Sequence, residues 1–543
     1  MRIFNTKKFF LPIVLLEIFL CLNIFAQEGL VISSGTNMVV MGGTTTISGN
    51  LSIASEAVIH LYGNMTVLGT LANTAGNNGL VIKSSSDGTG SLIESTGISA
   101  TVERYITQEV YHYISAPVTT QAISLLQSGT AHSDFDLFWY DEDYSGGGGP
   151  AWIDASAQGG SMEVALGYGY TYNPSDRTLG YTGTTNQGTI TKTVSYTYDA
   201  GVSTSEWYFG WSMIGNPYPS RINATTFIDD TDNSNIYGTL YFWDEGSNYS
   251  NDRSDYSTWN KTGAVSGGGG RTPNGYIDVS QAFMVHYGSG TTQSSSSIKF
   301  KNDMRVHDEA QFFKNNENQG FKIALTNDKG DYNETLIGFV AGTTNGFDDK
   351  YDGYKLKGNP NISLYSKLLE DNGSDYAIQA LPPITDGIEI KLGIFAGSEG
   401  IYQFNVVDIE NFNDTTSIFL EDIQENITVN LRTTQNYSFL IDEEGNYNDR
   451  FLLKFNTSAV GIVDNNTISD NFNIYSAYGK IIIESFKPES TFDVFIYNSM
   501  GQLISTYKGS NKSEKLFYQT TGIYVVKIVT DNRSYSKKIF HNN

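Results

Sequence analysis

The residue types that could carry chemistry in this 543-residue chain are few and scattered. His60, His112, His132, His286, His307 and His541 include no pair at metal-ligand spacing and no His-Glu-x-x-His motif. There is no Gly-x-Ser-x-Gly elbow and no phosphate-binding glycine loop, which argues against serine-hydrolase and nucleotide chemistry. The acids are numerous, 58 Asp plus Glu, so a glycosidase carboxylate pair would leave no local signature. Two acidic clusters stand out, "DDTDNSN" at 229–235 and "FDDKYDG" at 347–353. Asp230 and Asp232, at alternate positions, are candidate calcium ligands, because calcium takes six to eight closely spaced oxygens. No glycine or distant Glu completes an EF-hand loop there, and a solvated acidic loop is the simpler reading. No catalytic residue, no metal site beyond that candidate and no cofactor are expected, and the chain reads as non-enzymatic.

Aromatic residues offer a second kind of chemistry. Trp139, Tyr140, Tyr144 and Trp152 lie near "SGGGGP" (145–150), and Trp243, Tyr249, Tyr256 and Trp259 near "SGGGGR" (266–271). Both glycine runs read as exposed, mobile loops. Rings displayed beside them would suit sugar stacking or protein contact, so Trp139, Trp152, Trp243 and Trp259 are candidate ligand-facing residues. The competing reading is that these rings cover the ends of a β-sandwich.

The elements that must position these residues are strands. Period-2 alternation with β-branched and aromatic enrichment runs through nearly the whole chain, and the best helix candidate after the N-terminus is "QAISLLQ" at 121–127. The expected class is all-β. Residues 1–26 read as a secretory signal: Arg2, Lys7 and Lys8 precede an apolar run from Phe9 to Phe25, with cleavage expected near Ala26. A retained membrane anchor fits less well, since Glu17 interrupts the run. The lone cysteine, Cys21, falls inside that leader, so the processed chain would carry no thiol and no disulfide.

Short apolar runs separated by Gly, Asn and Ser occupy 27–101 ("TISGNLSIAS", "AVIHLYGN", "MTVLGTLAN"). They suit a β-helix or β-roll stalk, although a β-sandwich edge has similar spacing. A β-sandwich is expected over 102–300, a second over 301–456, a linker over 457–470 and a small sandwich over 471–543. The formal net charge of -24 disfavours nucleic acid and anionic membrane as partners. From Gly461 onward, nine Lys and Arg oppose seven Asp and Glu, so the tail is electrostatically distinct.

The tail residues "VFIYNSMGQLI" and "TTGIYVVKIVTDNRSYSKKIF" resemble the C-terminal, type A sorting domain of type IX secretion system substrates. Gly501, Gly522, Tyr524, Lys527, Lys537 and Lys538 occupy that family's motif positions. Ser476, Ala477 and Tyr478 stand where the family has a Pro-Asn-Pro turn. The middle, with "YHYISAPV", "GWSMIGNPYPS", "LYFWDE", "DVSQAFMVHY", "FDDKYDGYKL" and "DRFLLKF", is similar to β-sandwich domains of uncharacterised surface proteins of the same secretion class. The resemblance implies an Ig-like sorting sandwich, export through the periplasm, recognition by the secretion machinery at the outer membrane and a secreted or cell-surface destination. The function expected is adhesion or scaffolding, with a surface glycan or another surface protein as ligand and no nucleic acid. The alternative is a secreted carbohydrate-binding or carbohydrate-active protein.

Overall fold

The computed structural model describes residues 23–24, 29–108, 110–126, 135–144, 149–156, 159–203, 208–245, 255–288, 292–307, 318–370, 373–457, 472–477, 480–485, 491–498, 502–510, 514–518, 521–530 and 533–541. The leader reading falls almost wholly outside these residues, as do the linker after Thr457 and Gly501. Strands make nearly all the regular structure; the α-helices among the described residues are Ile123–Leu126, inside the segment read as helical, and Ala224–Asp229. The chain is all-β, and it divides into two compact units, Met1–Thr457 and Ser458–Asn543.

The first unit begins as a three-sided β-solenoid. Leu30–Ile32, Leu51–Ile53 and Leu71–Asn73 stack in parallel on one side. Asn37–Val40, Val58–Leu61 and Leu80–Ile82 stack on a second, and Thr44–Ile47, Asn64–Val67 and Ser91–Ile93 on the third. Leu30 pairs with Leu51 and Leu51 with Leu71, so each turn spends about 20 residues, the length of one supersecondary repeat. Within each short strand alternate residues turn inward: Leu51, Ile53, Ile59, Leu61, Met65, Leu80 and Ile82 are buried, whereas Val31, Val39 and Leu68 face out. At one corner the coils approach so closely that a Cβ on Gly63 would lie 2.6 Å from the Gly42 carbonyl oxygen, which only glycine permits. Stacked parallel rungs, rather than the edge of a sandwich, therefore account for the loose apolar spacing of the sequence.

The stalk does not end at a gap. Strand Ser99–Ile106 pairs in parallel with the solenoid strand Leu80–Ile82 and in antiparallel with Arg177–Thr184. The last rung is thus the first strand of the next layer, and Leu80, Ile82 and Val102 share one core with Ile114, Leu137, Tyr170 and Tyr181. Arg305, from the far end of the following region, reaches back: Nη1 donates to the Glu94 carbonyl (2.8 Å) and Nη2 to the Leu92 carbonyl (3.0 Å). His307 beside it bridges Ser91 Oγ (2.7 Å) and Thr66 Oγ1 (2.8 Å). These polar groups satisfy backbone and hydroxyl groups that the end of a solenoid leaves without a next rung.

Two principal sheets build the middle, the four strands His112–Ile114, Tyr168–Tyr172, Phe135–Asp141 and Ala151–Asp154, and the five around Ala282–His286 and Leu240–Asp244. From Gln319 to Asn456 the strands belong to one 11-stranded, nearly closed sheet. Its inner face buries Phe321, Ile337, Leu392, Phe404, Leu453 and Phe455. Such extensive curling suits so many strands, since open twisted sheets of this size rarely stay flat.

In the second unit, Phe472–Ala477, Lys480–Ser485 and Glu514–Tyr518 form one antiparallel sheet. Leu503–Ser510, Thr491–Asn498, Gly522–Thr530 and Arg533–His541 form the other. Ile474, Ile481 and Ile483 from the first meet Val494, Ile496, Val526 and Ile528 from the second in a single core.

Candidate functional site

Cross-strand register assembles an aromatic face in the middle region. Tyr140 pairs directly with Trp152, and Trp243 with Tyr256, so each pair shares one side of its sheet. Tyr113 stands between them, with ring centroids 6.0 Å from Trp152 and 6.3 Å from Trp243, and its hydroxyl lies 2.9 Å from that of Tyr256. Tyr140 meets Trp152 edge to face at 5.4 Å, and Trp243 meets Tyr256 at 5.1 Å. The Trp243 indole N–H donates to Glu245 Oε2 (3.0 Å), as does the Tyr111 amide (2.8 Å), which locks the indole plane. Trp152 is 44% exposed and forms the outer end of the row. Burial pushes the Tyr113 hydroxyl well above its ordinary value and that of Tyr256 up to about 12, so both hydroxyls stay protonated near neutrality.

Of the four sequence-nominated tryptophans, two join this face and two do not. Trp139 is one residue from Tyr140, so strand alternation turns it the other way, against the core shared with the solenoid. Trp259 is 7% exposed, within the cluster of Phe227, Phe283 and Phe300. The glycine run after Val265 departs from expectation in its first half, while Gly269, Gly270 and Arg271 are exposed as expected of a loop. Ser266, Gly267 and Gly268 are buried, because a Cβ on Gly267 would lie 2.5 Å from the Asp255 carbonyl oxygen and one on Gly269 would run into Asp244. These glycines serve close packing rather than mobility; residues 145–148 of the first run lie outside the described residues.

Asp230 and Asp232 are occupied by lysine. Lys301 Nζ lies 2.8 Å from Asp230 and 2.7 Å from Asp232, and Lys299 Nζ lies 3.0 Å from Asp232. The hydrogen bonds from Lys301 and Lys299 hold the Asp232 carboxyl below its usual range. Asp230 additionally accepts from the Asp232 amide at the start of a 3-10 turn. In the other acidic cluster, Asp348 caps a turn by accepting from the Thr344 amide at 2.6 Å. No group of three or more His, Cys, Asp or Glu placed to hold a metal ion occurs among the described residues.

Several buried polar groups were not visible in the sequence. Glu142 is 7% exposed; its Oε1 accepts from the Gly210 amide (2.5 Å) and from Thr197. Burial pushes its carboxyl up to about 7. His286 lies wholly buried between Trp211 and Tyr237, and burial depresses it to about 3. Deepest of all is Asp255. Its Oδ2 accepts from Lys355 Nζ (2.7 Å) and Asn333 Nδ2 (2.7 Å), and its Oδ1 from the amides of Gly358 (2.7 Å) and Tyr256 (2.8 Å). Lys355 falls within the "FDDKYDGYKL" stretch singled out earlier, but its partner Asp255 is 100 positions away, and no local pattern announces it.

In the second unit, Gly522, Tyr524 and Lys527 lie on strand Gly522–Thr530, and Lys537 and Lys538 on its partner Arg533–His541, at the sheet edge. Tyr524 is buried in the core, with its ring 6.2 Å from that of His541. Lys527 is half-buried on the opposite face, and Lys537 and Lys538 are both exposed. The motif thus divides into a packing half and a displayed half.

A family model described as "Domain of unknown function (DUF8693)" matches residues 21–455. No curated protein matches. Among solved structures, dimeric latent PorU from Porphyromonas gingivalis aligns over 69% of this chain at 10% identity with a TM-score of 0.12, too low to carry an argument. This chain spans 35% of that protein's length.

Proposed function

The chain belongs to the DUF8693 family, whose description assigns no activity, and from that premise we propose that it is a non-enzymatic protein exported by the type IX secretion system and displayed or released at the cell surface, where it acts in adhesion or scaffolding. The observation that supports this reading is the organisation of residues after Thr457. They form a separate compact unit with its own apolar core, and they close on a hairpin whose edge strand displays Lys537 and Lys538. An exposed, charged edge strand is shielded from promiscuous pairing yet open to a dedicated receptor. The body supplies a solenoid stalk joined without a break to the sheets that follow, a form suited to holding a contact surface away from a membrane.

The test is export in a host that carries the secretion machinery. Deleting residues 458–543 should trap a folded body in the periplasm, and fusing that segment to a periplasmic reporter should carry the reporter out. Normal export of the truncated chain would remove the assignment. A second reading, binding of a surface glycan, draws on the aromatic face: Trp152 offers an exposed ring beside Tyr140 and Tyr113, as sugar stacking requires. Retention on a glycan array that is lost in Trp152→Ala but kept in Trp139→Phe would favour it.

A further inference from the structure

Asp255, Lys355 and Asn333 form a reactive constellation as well as a packed one. The Lys355 side chain is 2% exposed and that of Asp255 0%, and Asn333 is likewise wholly buried. The lysine ammonium and the asparagine amide nitrogen sit on the same carboxylate oxygen, each at 2.7 Å, so the two nitrogens are held side by side. Asn333 Oδ1 points the other way and accepts from the Leu364 amide at 2.9 Å. A Cβ on Gly358 would lie 2.8 Å from the Trp243 ring and 3.0 Å from Asp255 Oδ1, so the indole and the carboxylate both close on this glycine. A nucleophile, an amide electrophile, a proton carrier and an oxyanion donor are therefore present together, shielded from water.

We propose that Lys355 and Asn333 become joined by an intramolecular isopeptide bond, with Asp255 as the proton carrier. Lys355 Nζ passes a proton to Asp255 Oδ2, leaving a neutral amine. The amine attacks Asn333 Cγ; the new C–N bond forms, and the carbonyl electron pair moves to Oδ1, where the Leu364 N–H stabilises it. Asp255 then delivers its proton to Nδ2 and takes one from the attacking nitrogen. The carbonyl reforms, the Cγ–Nδ2 bond breaks and ammonia leaves. No oxidant or other reactant is needed. Two features favour the step: one carboxylate oxygen already gathers both nitrogens, and the product replaces a buried cation, costly in a low-dielectric interior, with a neutral amide. The bond would tie strand Tyr332–Phe339 to the segment after Gly353–Tyr354, independently of whether the export reading holds.

The experiment is intact-mass measurement of the purified full-length chain, followed by peptide mapping. The expected result is a mass lower than the sequence by one ammonia, and a branched peptide joining Lys355 to Asn333. Lys355→Met and Asp255→Asn should return to sequence mass; if either fails to fold, the wild-type peptide map decides alone. Recovery of Lys355 and Asn333 on separate linear peptides at sequence mass would overturn the proposal. So would an ammonia loss confined to a linear, cyclised Asn333 peptide, or a loss of water that joins Lys355 to Asp255.

Discussion

The body and the C-terminal unit handle charge in opposite ways. The acidic body draws ion pairs inside: Lys355 with Asp255 at 2.7 Å, Arg450 with Asp422 at 2.9 Å and Arg305 near Glu94 at 3.9 Å, all with side chains at most 4% exposed. In the C-terminal unit the ion pair found among the described residues is Lys508–Asp493 at 3.6 Å, with Lys508 89% exposed, and the core is built from aliphatic and aromatic side chains. A buried pair is costly to assemble but severe to break, because removing one partner strands the other in a low-dielectric interior. An apolar core tolerates change in proportion to volume, and displayed charge remains available to a partner. The difference separates residues that hold position from residues free to be recognised.

Breaking the body's side of this contrast should have the largest effect. Arg450→Ala leaves Asp422 buried without its cation and uncovers the Phe439 and Phe451 rings 5.0 Å from the guanidinium, so a loss of about 3–5 kcal/mol is expected in denaturant unfolding. A loss below about 1 kcal/mol would place this pair with surface ion pairs and erase the distinction. In the C-terminal unit, Ile528→Ala should cost about 3 kcal/mol by cavity formation. Native-state hydrogen exchange would show it as faster exchange in Thr491–Asn498 and Gly522–Thr530, with the body's amides as internal reference.

Titration sharpens the contrast further. Burial, with Arg221 and Arg305 nearby, depresses His307 to about 4, below its ordinary 6.5. The unfolded chain binds the proton first, so stability is full above 6.5 and falls as pH drops toward 4, by on the order of 2 kcal/mol. Glu142, raised by burial to about 7, has the opposite sign: its contribution is lost as pH rises from 4.5 through 7. His307→Gln should flatten the acid limb of the stability curve, and Glu142→Gln the neutral limb. An unchanged acid limb in His307→Gln would show that this ring is not the group responsible. The smallest stability change belongs to Lys537→Gln combined with Lys538→Gln, within about 0.5 kcal/mol by thermal melting, since both side chains are exposed. Export of that variant should nevertheless fail, and undiminished export would separate these lysines from recognition.

Local patterns were legible wherever the chain repeats or alternates. "TTTISGNLSI" and "NMTVLGTLAN" are successive solenoid turns in register, Thr45 against Met65 and Leu51 against Leu71, and apart from Leu68 their large apolar residues follow the inward faces. Alternation likewise marked the strands of the tail hairpin. Aromatic enrichment near the glycine runs led to two rings of the aromatic row, Trp152 and Trp243, and to two that pack elsewhere, Trp139 and Trp259. One step of strand parity separates Trp139, half-buried against the core shared with the solenoid, from Tyr140 and Trp152 on the aromatic row. In the glycine run at 266–271 the exposed loop expected from composition holds for Gly269, Gly270 and Arg271 but not for Ser266, Gly267 and Gly268, because glycine permits both open loops and close approach, and composition does not distinguish them.

Composition and alternation were sufficient for the all-β class, for a stalk of stacked rungs as one of two readings and for a chemically distinct tail, because each follows from interactions between near neighbours in the chain. The aromatic row, the lysines that occupy Asp230 and Asp232, and the meeting of Asp255 with Asn333 and Lys355 required the folded sheets. The contacts of Asp255 join positions 78 and 100 residues apart, and only a settled strand register determines which distant side chains share one dry volume.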